Sequence, residues 1–226
     1  MNAGNATYEG PGDLPQRLPL FPLVGALLLP HARMPLNIFE PRYLAMVDAA
    51  LSGDRVIGMI QPDYAMAGVD DVPHPPLCTV GCAGRIVAWQ ETGDGRYLIT
   101  LVGIARFDLV AERDEATPYR VGDVSFARFA EDFTTGLGEA EVDREALVRT
   151  LRAYLEANDL EADWESIGKA STEVLVNALS MMSPYGPAEK QALLEAPDLR
   201  TRAETLVALT EVELARRGSD DGMTLQ

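Results

Sequence analysis

The sequence predicts an α+β protein, in which a β-rich N-terminal lobe is followed by an α-helical C-terminal lobe. Apolar residues recur with a spacing of two over much of the first 130 residues, which is typical of strands. After residue 139 the spacing becomes nearly four, which is typical of helices. Twelve of the 15 prolines precede residue 131, where they would interrupt helices. A chain of 226 residues can form one large domain or two small lobes.

Strand patterns recur along the N-terminal lobe. The turn-rich segment Glu91–Gly95 joins two apolar runs as a hairpin, and the second run is apolar on both faces, which is typical of a central strand. One helix interrupts the strands, from Pro41 to about Leu51, since proline is favoured at the first helical position. The predicted strands are Arg17–Phe21, Ala26–Leu29, Arg55–Ile60, Leu77–Gln90, Arg96–Val102, Ala105–Val110 and Tyr119–Phe129.

Three apolar stripes predict the helices of the C-terminal lobe, and Asp163 and Asp198 are suitable N-caps for the second and third. The stripes are Leu147, Leu151, Tyr154 and Leu155; Ile167, Ala170, Val174, Ala178 and Met181; and Ala203, Leu206, Val207, Thr210 and Leu214. We expect a disordered N-terminal arm over residues 1–16, the β-rich lobe over 17–130, the helical bundle over 139–217 and a disordered tail over 218–226. The segment 131–138 is the predicted linker.

Charge and cysteine usage restrict the class of protein. Nineteen basic and 35 acidic side chains give a net charge of −16, which repels nucleic acid and anionic lipid. Two cysteines are too few for a disulfide-stapled secreted protein, so we expect a cytoplasmic location. The longest uncharged run, Leu18–Pro30, contains three prolines and falls short of the roughly 20 residues that a membrane-spanning helix needs.

Familiar catalytic and metal-binding patterns are missing from the sequence. No glycine-rich phosphate loop or dinucleotide-binding turn occurs. On a strand, Cys78 and Cys82 would be about 13 Å apart, too far for one metal ion. His31 and His74 lie beside prolines, without a nucleophile and an acid in a recognisable arrangement. We therefore predict no active site, no metal and no cofactor.

A series of short strings spread over residues 17 to 215 carries a family resemblance. The strings are Leu18–Pro22, Leu29–Pro30 with Met34–Leu36, Ile38–Tyr43, Val80–Ile86, Leu101–Phe107, Met182–Pro184 and Glu189–Glu195. In this order they resemble the Lon N-terminal domain, also called the LON substrate-binding domain.

The resemblance implies a PUA-like N-terminal lobe, which is a twisted sheet or open barrel with one inserted helix, joined to a helical lobe. In Lon proteases this domain is non-catalytic and is associated with capturing unfolded or damaged proteins. The chain has neither the phosphate loop of the ATPase nor the serine and lysine pair of the peptidase, so the resemblance implies a stand-alone, non-catalytic module of protein quality control. The expected partners are unfolded or damaged polypeptides and a protease or chaperone, with the chain a monomer or weak homodimer.

Two alternatives stay open. PUA-like lobes elsewhere bind RNA, which would require arginines to cluster on one sheet face despite the negative net charge. The arginines available are Arg85, Arg96, Arg106, Arg120 and Arg128. A small-molecule pocket between the lobes is the other alternative, for which the sequence shows no constellation of polar groups.

Six residues are candidates for peptide binding: Phe39, Tyr43, Tyr64, Met66, Met181 and Met182. The first pair could form a contact surface, although packing of the helix on the sheet is the favoured interpretation. The second pair lies in a loop of small residues, where an aromatic ring and a thioether suit varied apolar ligands or, alternatively, cover the core. The third pair would line a groove between the lobes, with packing inside the helical core as its alternative.

Overall fold

The computed structural model describes residues 1–63 and 74–223. The chain divides into two compact units. The β unit comprises Met1–Thr135 and Tyr185–Leu194, and the helical unit comprises Gly136–Pro184 and the chain from Glu195 onward. Among the described residues, no helix has the length and apolar character that crossing a membrane requires.

Strands dominate the β unit. They are β1 (Asn2–Ala3), β2 (Ala6–Thr7), β3 (Arg17–Pro22), β4 (Arg33–Ile38), β5 (Val56–Pro62), β6 (Leu77–Glu91), β7 (Tyr97–Arg113) and β8 (Arg120–Ser125). β1 and β2 form a hairpin, and the other strands form one sheet in the order β4-β7-β6-β5-β3-β8. The end of β7 also pairs with β8, so the ring from β7 through β6, β5, β3 and β8 closes into a barrel. The β-rich half of the α+β prediction is confirmed.

The barrel interior is packed around Phe107, which is fully buried. Its ring lies against Gly58 of β5 and Gly81 of β6; a Cβ atom at Gly81 would overlap the ring, and one at Gly58 would lie 3.1 Å from it. Phe126 approaches the same ring edge-on, with the ring centroids 6.3 Å apart. Small residues on β5 and β6 therefore create the space that one aromatic side chain fills.

The predicted hairpin and inserted helix are confirmed. Thr92 donates a backbone hydrogen bond to Arg96 across the turn between β6 and β7, in which Gly93 and Gly95 have positive φ angles. Helix α1 spans Pro41–Leu51 and begins with proline. It buries one face, formed by Tyr43, Met46, Val47 and Ala50.

The region before α1 differs from the prediction. Ala26–Leu29 is not a strand, because this segment crosses β7 at Gly103. The residues that follow it fix the crossing: the His31 amide donates to the Gly103 carbonyl, and the Gly103 amide donates to the Ala32 carbonyl, both at 2.9 Å. The strand lies further on, as β4. The sequence pattern does not reveal β4 because Pro35 lies at its centre and proline disfavours a strand; β4 lies at the edge of the sheet, where proline is tolerated.

The prediction of a disordered arm over residues 1–16 is wrong. The backbones of Met1 and Tyr8 are hydrogen bonded across the β1–β2 hairpin at 2.9 Å. Ala3, Tyr8 and Leu14 are buried in the barrel core, and the Tyr8 hydroxyl accepts a hydrogen bond from Arg85 at 3.0 Å. Three scattered apolar residues anchor the arm, which a composition argument does not detect.

The helical unit contains α2 (Arg144–Ala157), α3 (Trp164–Lys169), α4 (Thr172–Met182) and α6 (Leu199–Met223). Asp163 and Asp198 cap α3 and α6 as predicted, by accepting hydrogen bonds from backbone amides. The predicted stripe from Ile167 to Met181 is two helices, because Ser171 has an extended backbone and caps α4. The predicted tail over 218–226 is helical as far as Met223.

Helix α5 (Pro187–Glu195) was predicted as part of the helical lobe, but most of it belongs to the β unit. The buried amide of Gln61 on β5 donates to the Pro187 carbonyl at 3.0 Å and to the Gln191 side chain at 3.1 Å. Gln191 in turn donates to the Val80 carbonyl of β6 at 3.1 Å. These polar contacts, which sequence periodicity cannot reveal, attach α5 to the barrel.

Acid should weaken the helical unit through Glu139. Its carboxylate accepts a hydrogen bond from the Glu173 backbone amide at 2.8 Å, and this bond, with one from the Ser171 side chain, lowers the pKa of Glu139 below its ordinary value of 4.5. A folded-state pKa below the unfolded one stabilises the fold fully above about pH 4.5, and this contribution is lost as the pH falls through the lowered pKa. We therefore expect E139Q to lower the melting temperature by about 2 °C at pH 7 and by less at pH 3.

Thermal unfolding followed by circular dichroism checks this expectation. The matched control is E156Q, which changes an exposed glutamate of α2 and should leave the melting temperature nearly unchanged at both pH values. An E139Q deficit of the same size at pH 3 and pH 7 would contradict the assignment.

Candidate functional site

An open apolar groove, here called the helical groove, lies on the helical unit and has a volume of about 390 Å³. Three helices form it, with the connection after α2 and the segment after α4 at its rim. Its lining is mostly aliphatic, and polar atoms contribute little of it. The lining residues are Leu147, Thr150, Leu151, Tyr154, Leu155, Leu160, Leu179, Met182, Ser183, Pro184, Leu206, Val207 and Thr210.

Apolar spacing in the sequence creates the floor and walls of the helical groove. The α2 stripe that ends at Leu155 lines one wall, and the α6 residues Leu206, Val207 and Thr210 line another. Leu147 and Leu206 are buried at the bottom, whereas Leu160 and Met182 are 53% and 81% exposed. The exposure of the lining side chains therefore increases from the bottom of the groove to its rim.

The end of α2 places Leu160 at the rim. Asp159 has a φ angle of 51°, in the left-handed region where a helix commonly stops. The chain reverses there, and the Leu160 amide donates to the Leu155 carbonyl at 2.9 Å. The Asn158 side chain also donates to the Tyr154 carbonyl at 2.7 Å, which satisfies a second carbonyl at the helix end. These hydrogen bonds at the end of α2 fix the position of Leu160, whose side chain is exposed.

Of the predicted methionines, the structure brings one into the helical groove. Met182 lines it, whereas Met181 is half-buried and is not part of the lining. Tyr64 and Met66 lie outside the described residues. The sequence does not single out Leu160 or Leu179. Leu160 lies between two predicted stripes. Leu179 lies outside the stripe from Ile167 to Met181, which treats two helices separated at Ser171 as one. Leu160 carried one available signal, which is an apolar residue between charged neighbours after a helix end.

The other predicted pair, Phe39 and Tyr43, lies in the β unit, and only one of the two side chains is buried. Tyr43 is 7% exposed and packs on Phe21, with ring centroids 4.4 Å apart. This burial raises the pKa of the Tyr43 hydroxyl. Phe39 is 60% exposed, and the Arg96 guanidinium lies 5.9 Å from its ring centroid. Tyr43 has a packing role in the fold, and Phe39 presents an aromatic side chain to solvent.

Tyr43 also borders a second groove, in the β unit, with a volume of about 860 Å³. Its lining is much more polar than that of the helical groove and includes Arg120, which donates to Glu112 and to the Pro75 carbonyl at 2.8 Å. The charges lining this groove are balanced in part by ion pairs between neighbours, such as Arg42 with Glu40. It is therefore a weaker candidate for apolar peptides than the helical groove.

The arginines considered for RNA binding already have protein partners. Arg106 is buried against Asp132, and Arg85 donates to the Tyr8 hydroxyl and the Asp54 carbonyl. The other three pair with carboxylates: Arg96 with Asp94, Arg120 with Glu112 and Arg128 with Asp108.

Among the described residues, no group of histidine, cysteine and carboxylate side chains could hold a metal ion.

Comparison with known proteins identifies similar sequences. Residues 17–211 match the model of the ATP-dependent protease La (LON) substrate-binding domain. The chain is 27% identical over 203 residues to Lon protease 2 of Myxococcus xanthus and 30% identical over 214 residues to Lon protease of Parabacteroides distasonis. These alignments cover 87% and 91% of this chain but 24% and 25% of the two proteases. The chain thus spans about a quarter of the length of these relatives.

Two solved structures share the fold. The Lon N-terminal domain protein from Xanthomonas campestris has a TM-score of 0.60 at 24% identity, with 85% of this chain and 97% of that chain covered. The N-terminal domain of Mycobacterium avium complex Lon protease has a TM-score of 0.62 at 17% identity, with 86% and 98% covered.

Proposed function

Because the chain belongs to the LON substrate-binding domain family, we propose that it binds apolar segments of unfolded or damaged polypeptides and catalyses no reaction on them. Protein quality control in the cytoplasm is the setting that this activity suits, with a protease or chaperone as the recipient of the bound polypeptide. The family match supports polypeptide binding as the general activity, and the proposal extends it to this class of ligand.

The helical groove is the single observation that carries the proposal. Unfolded proteins differ from folded ones in exposing contiguous apolar side chains, and the groove offers a complementary apolar surface that solvent reaches. Met182 suits varied ligands because its unbranched, polarisable side chain adapts to different shapes. The acidic surface of the chain, with a net charge of −16, limits its self-association and favours ligands with basic residues.

Placing a charge in the helical groove should abolish much of the binding. We expect L160D and M182D each to weaken binding of a fluorescently labelled, permanently unfolded protein at least about tenfold, since burying one large apolar side chain contributes about 1.5–3 kcal/mol. Both side chains are exposed, so neither substitution should unfold the chain. Fluorescence anisotropy measures the dissociation constants, and circular dichroism confirms the fold.

The matched control is V174D, which changes an exposed valine on α4 that does not line the helical groove. It should bind like the unmodified chain. A parallel F39D variant tests the exposed aromatic residue of the β unit. Loss of binding in F39D alone would move the site to the β unit, and failure of the folded, unmodified chain to bind any unfolded protein would refute the proposed function.

A further inference from the structure

The helical walls of the groove offer a ligand almost no backbone hydrogen bonds. Its walls are α2, α4 and α6, in which amides and carbonyls bond to each other within each helix. The hydroxyl of Thr210, one of the few polar groups in the lining, already donates to the Leu206 carbonyl at 2.8 Å. A sheet edge, which would provide free amides and carbonyls in a row, is absent from the groove lining.

This geometry discriminates between two conformations of the ligand. An extended peptide in the helical groove would lose water from its own amides and carbonyls without gaining protein partners, which is unfavourable. An α-helix satisfies its backbone internally and presents apolar side chains at i, i+3, i+4 and i+7 on one face. A small groove bordered by three helices suits such a row of anchors.

The charge around the groove indicates which ligand charge it favours. The helical unit carries eight basic and 17 acidic side chains, a net charge of −9. At the rim, Leu160 lies between Asp159 and Glu161, and all three side chains are exposed. The arginines Arg149 and Arg152 of α2 lie on a face that does not line the groove, and Arg152 stacks 4.1 Å from the Trp164 ring centroid. A ligand in the helical groove therefore meets negative charge at the rim.

We propose that the helical groove receives an amphipathic α-helix whose polar face is basic. This inference rests on the proposed function and specifies its ligand: the preferred segments of a polypeptide are those that can form a helix with one apolar and one basic face. The apolar face fills the groove, and the basic face lies towards Asp159 and Glu161.

Three synthetic peptides of 18 residues test the proposal. The first has leucines at helical spacing and lysines on the other face; the second has the same composition with leucines alternating at a spacing of two; the third replaces the lysines of the first with glutamates. Fluorescence anisotropy measures binding to the full chain, and circular dichroism measures helix content on binding. We expect the first peptide to bind at least about tenfold more tightly than either other peptide and to gain helix when bound.

Variants of the chain separate the two parts of the proposal. D159N/E161Q removes both rim charges, and asparagine tolerates the left-handed backbone at position 159. This double variant should weaken binding of the first peptide about two- to fivefold, as expected for exposed charge pairs, and the loss of affinity should disappear at high salt. M182D should weaken binding of the first peptide at least about tenfold, and V174D should leave it unchanged.

Each possible outcome supports or overturns the proposal. Equal affinity for the first and second peptides, or binding without gain of helix, overturns the helical ligand while leaving the proposed function intact. Equal affinity for the first and third peptides overturns the basic face. If no peptide binds and a permanently unfolded protein does not bind either, the proposed function itself has failed.

Discussion

Replacing Asp132 by alanine should destabilise the protein by about 3–5 kcal/mol, the usual result of removing one member of a buried ion pair. Arg106 on β7 donates to this carboxylate from its backbone amide at 2.8 Å, from Nε at 2.9 Å and from Nη2 at 2.7 Å. The two side chains are only 5% and 8% exposed. In D132A the guanidinium loses its bonds to Asp132 and retains its other contacts, among them the Leu194 carbonyl, 3.2 Å away, and the face of Phe129.

A second ion pair between the same two segments of the chain provides the matched control. Arg128 and Asp108 also join the segment Ala127–Phe133 to β7, but their side chains are 57% and 35% exposed. D108A should therefore change the free energy of unfolding by about 1 kcal/mol or less. Urea unfolding followed by circular dichroism measures both variants.

The double variant R106M/D132L distinguishes loss of the pair from loss of packing. It removes both charges and keeps apolar volume, so it should be more stable than D132A. A D132A variant as stable as D108A would show that the buried pair does not hold this part of the barrel together.

Much of the fold could be predicted because local signals and global structure agree. Pro41 marks the start of α1, the glycines near Gly93 mark the hairpin, and Asp163 marks the start of α3. Errors occurred where distant residues decide the structure. The attachment of α5 depends on Gln61, which is 130 residues from its partner Gln191, and no pattern near either residue signals that contact.

The candidate site was partly predictable for the same reason. The helical spacing of Leu147, Leu151 and Leu155 predicts the common apolar face that lines the groove, whereas Met182, which the sequence suggests for a groove between the lobes, lines a groove within the helical unit. Helical spacing cannot show whether an apolar face is covered or open, since that depends on how helices pack. Leu160 reaches the rim only because Asp159 reverses the chain, a backbone feature that the sequence does not announce.

The largest effect of a single added methyl group is expected at Gly103. A Cβ atom at this position would overlap the carbonyl oxygen of Leu29 and lie 2.8 Å from its carbonyl carbon. The obstruction is backbone, so it cannot rotate away. The crossing segment would have to withdraw from β7, which strains the hydrogen bonds of His31 and Ala32 to Gly103 and exposes Leu28 and Leu29, now 2% exposed or less. We expect G103A to lose more than about 3 kcal/mol of stability.

A graded series of glycine-to-alanine variants makes this prediction specific. Gly84 pairs with Gly103 on the adjacent strand, but a Cβ there would meet the terminal methyl of Leu28 at 2.7 Å, and a methyl can move. G84A should therefore lose about 1–3 kcal/mol. Gly168 in α3 has no atom within 4 Å of an added Cβ, and G168A should gain about 0.5–1 kcal/mol because alanine favours helix. Melting temperatures should rank G168A above the unmodified chain, then G84A, with G103A lowest or unfolded at 25 °C. Any series in which G103A melts above G84A would show that the Leu29 segment yields more easily than the contact implies.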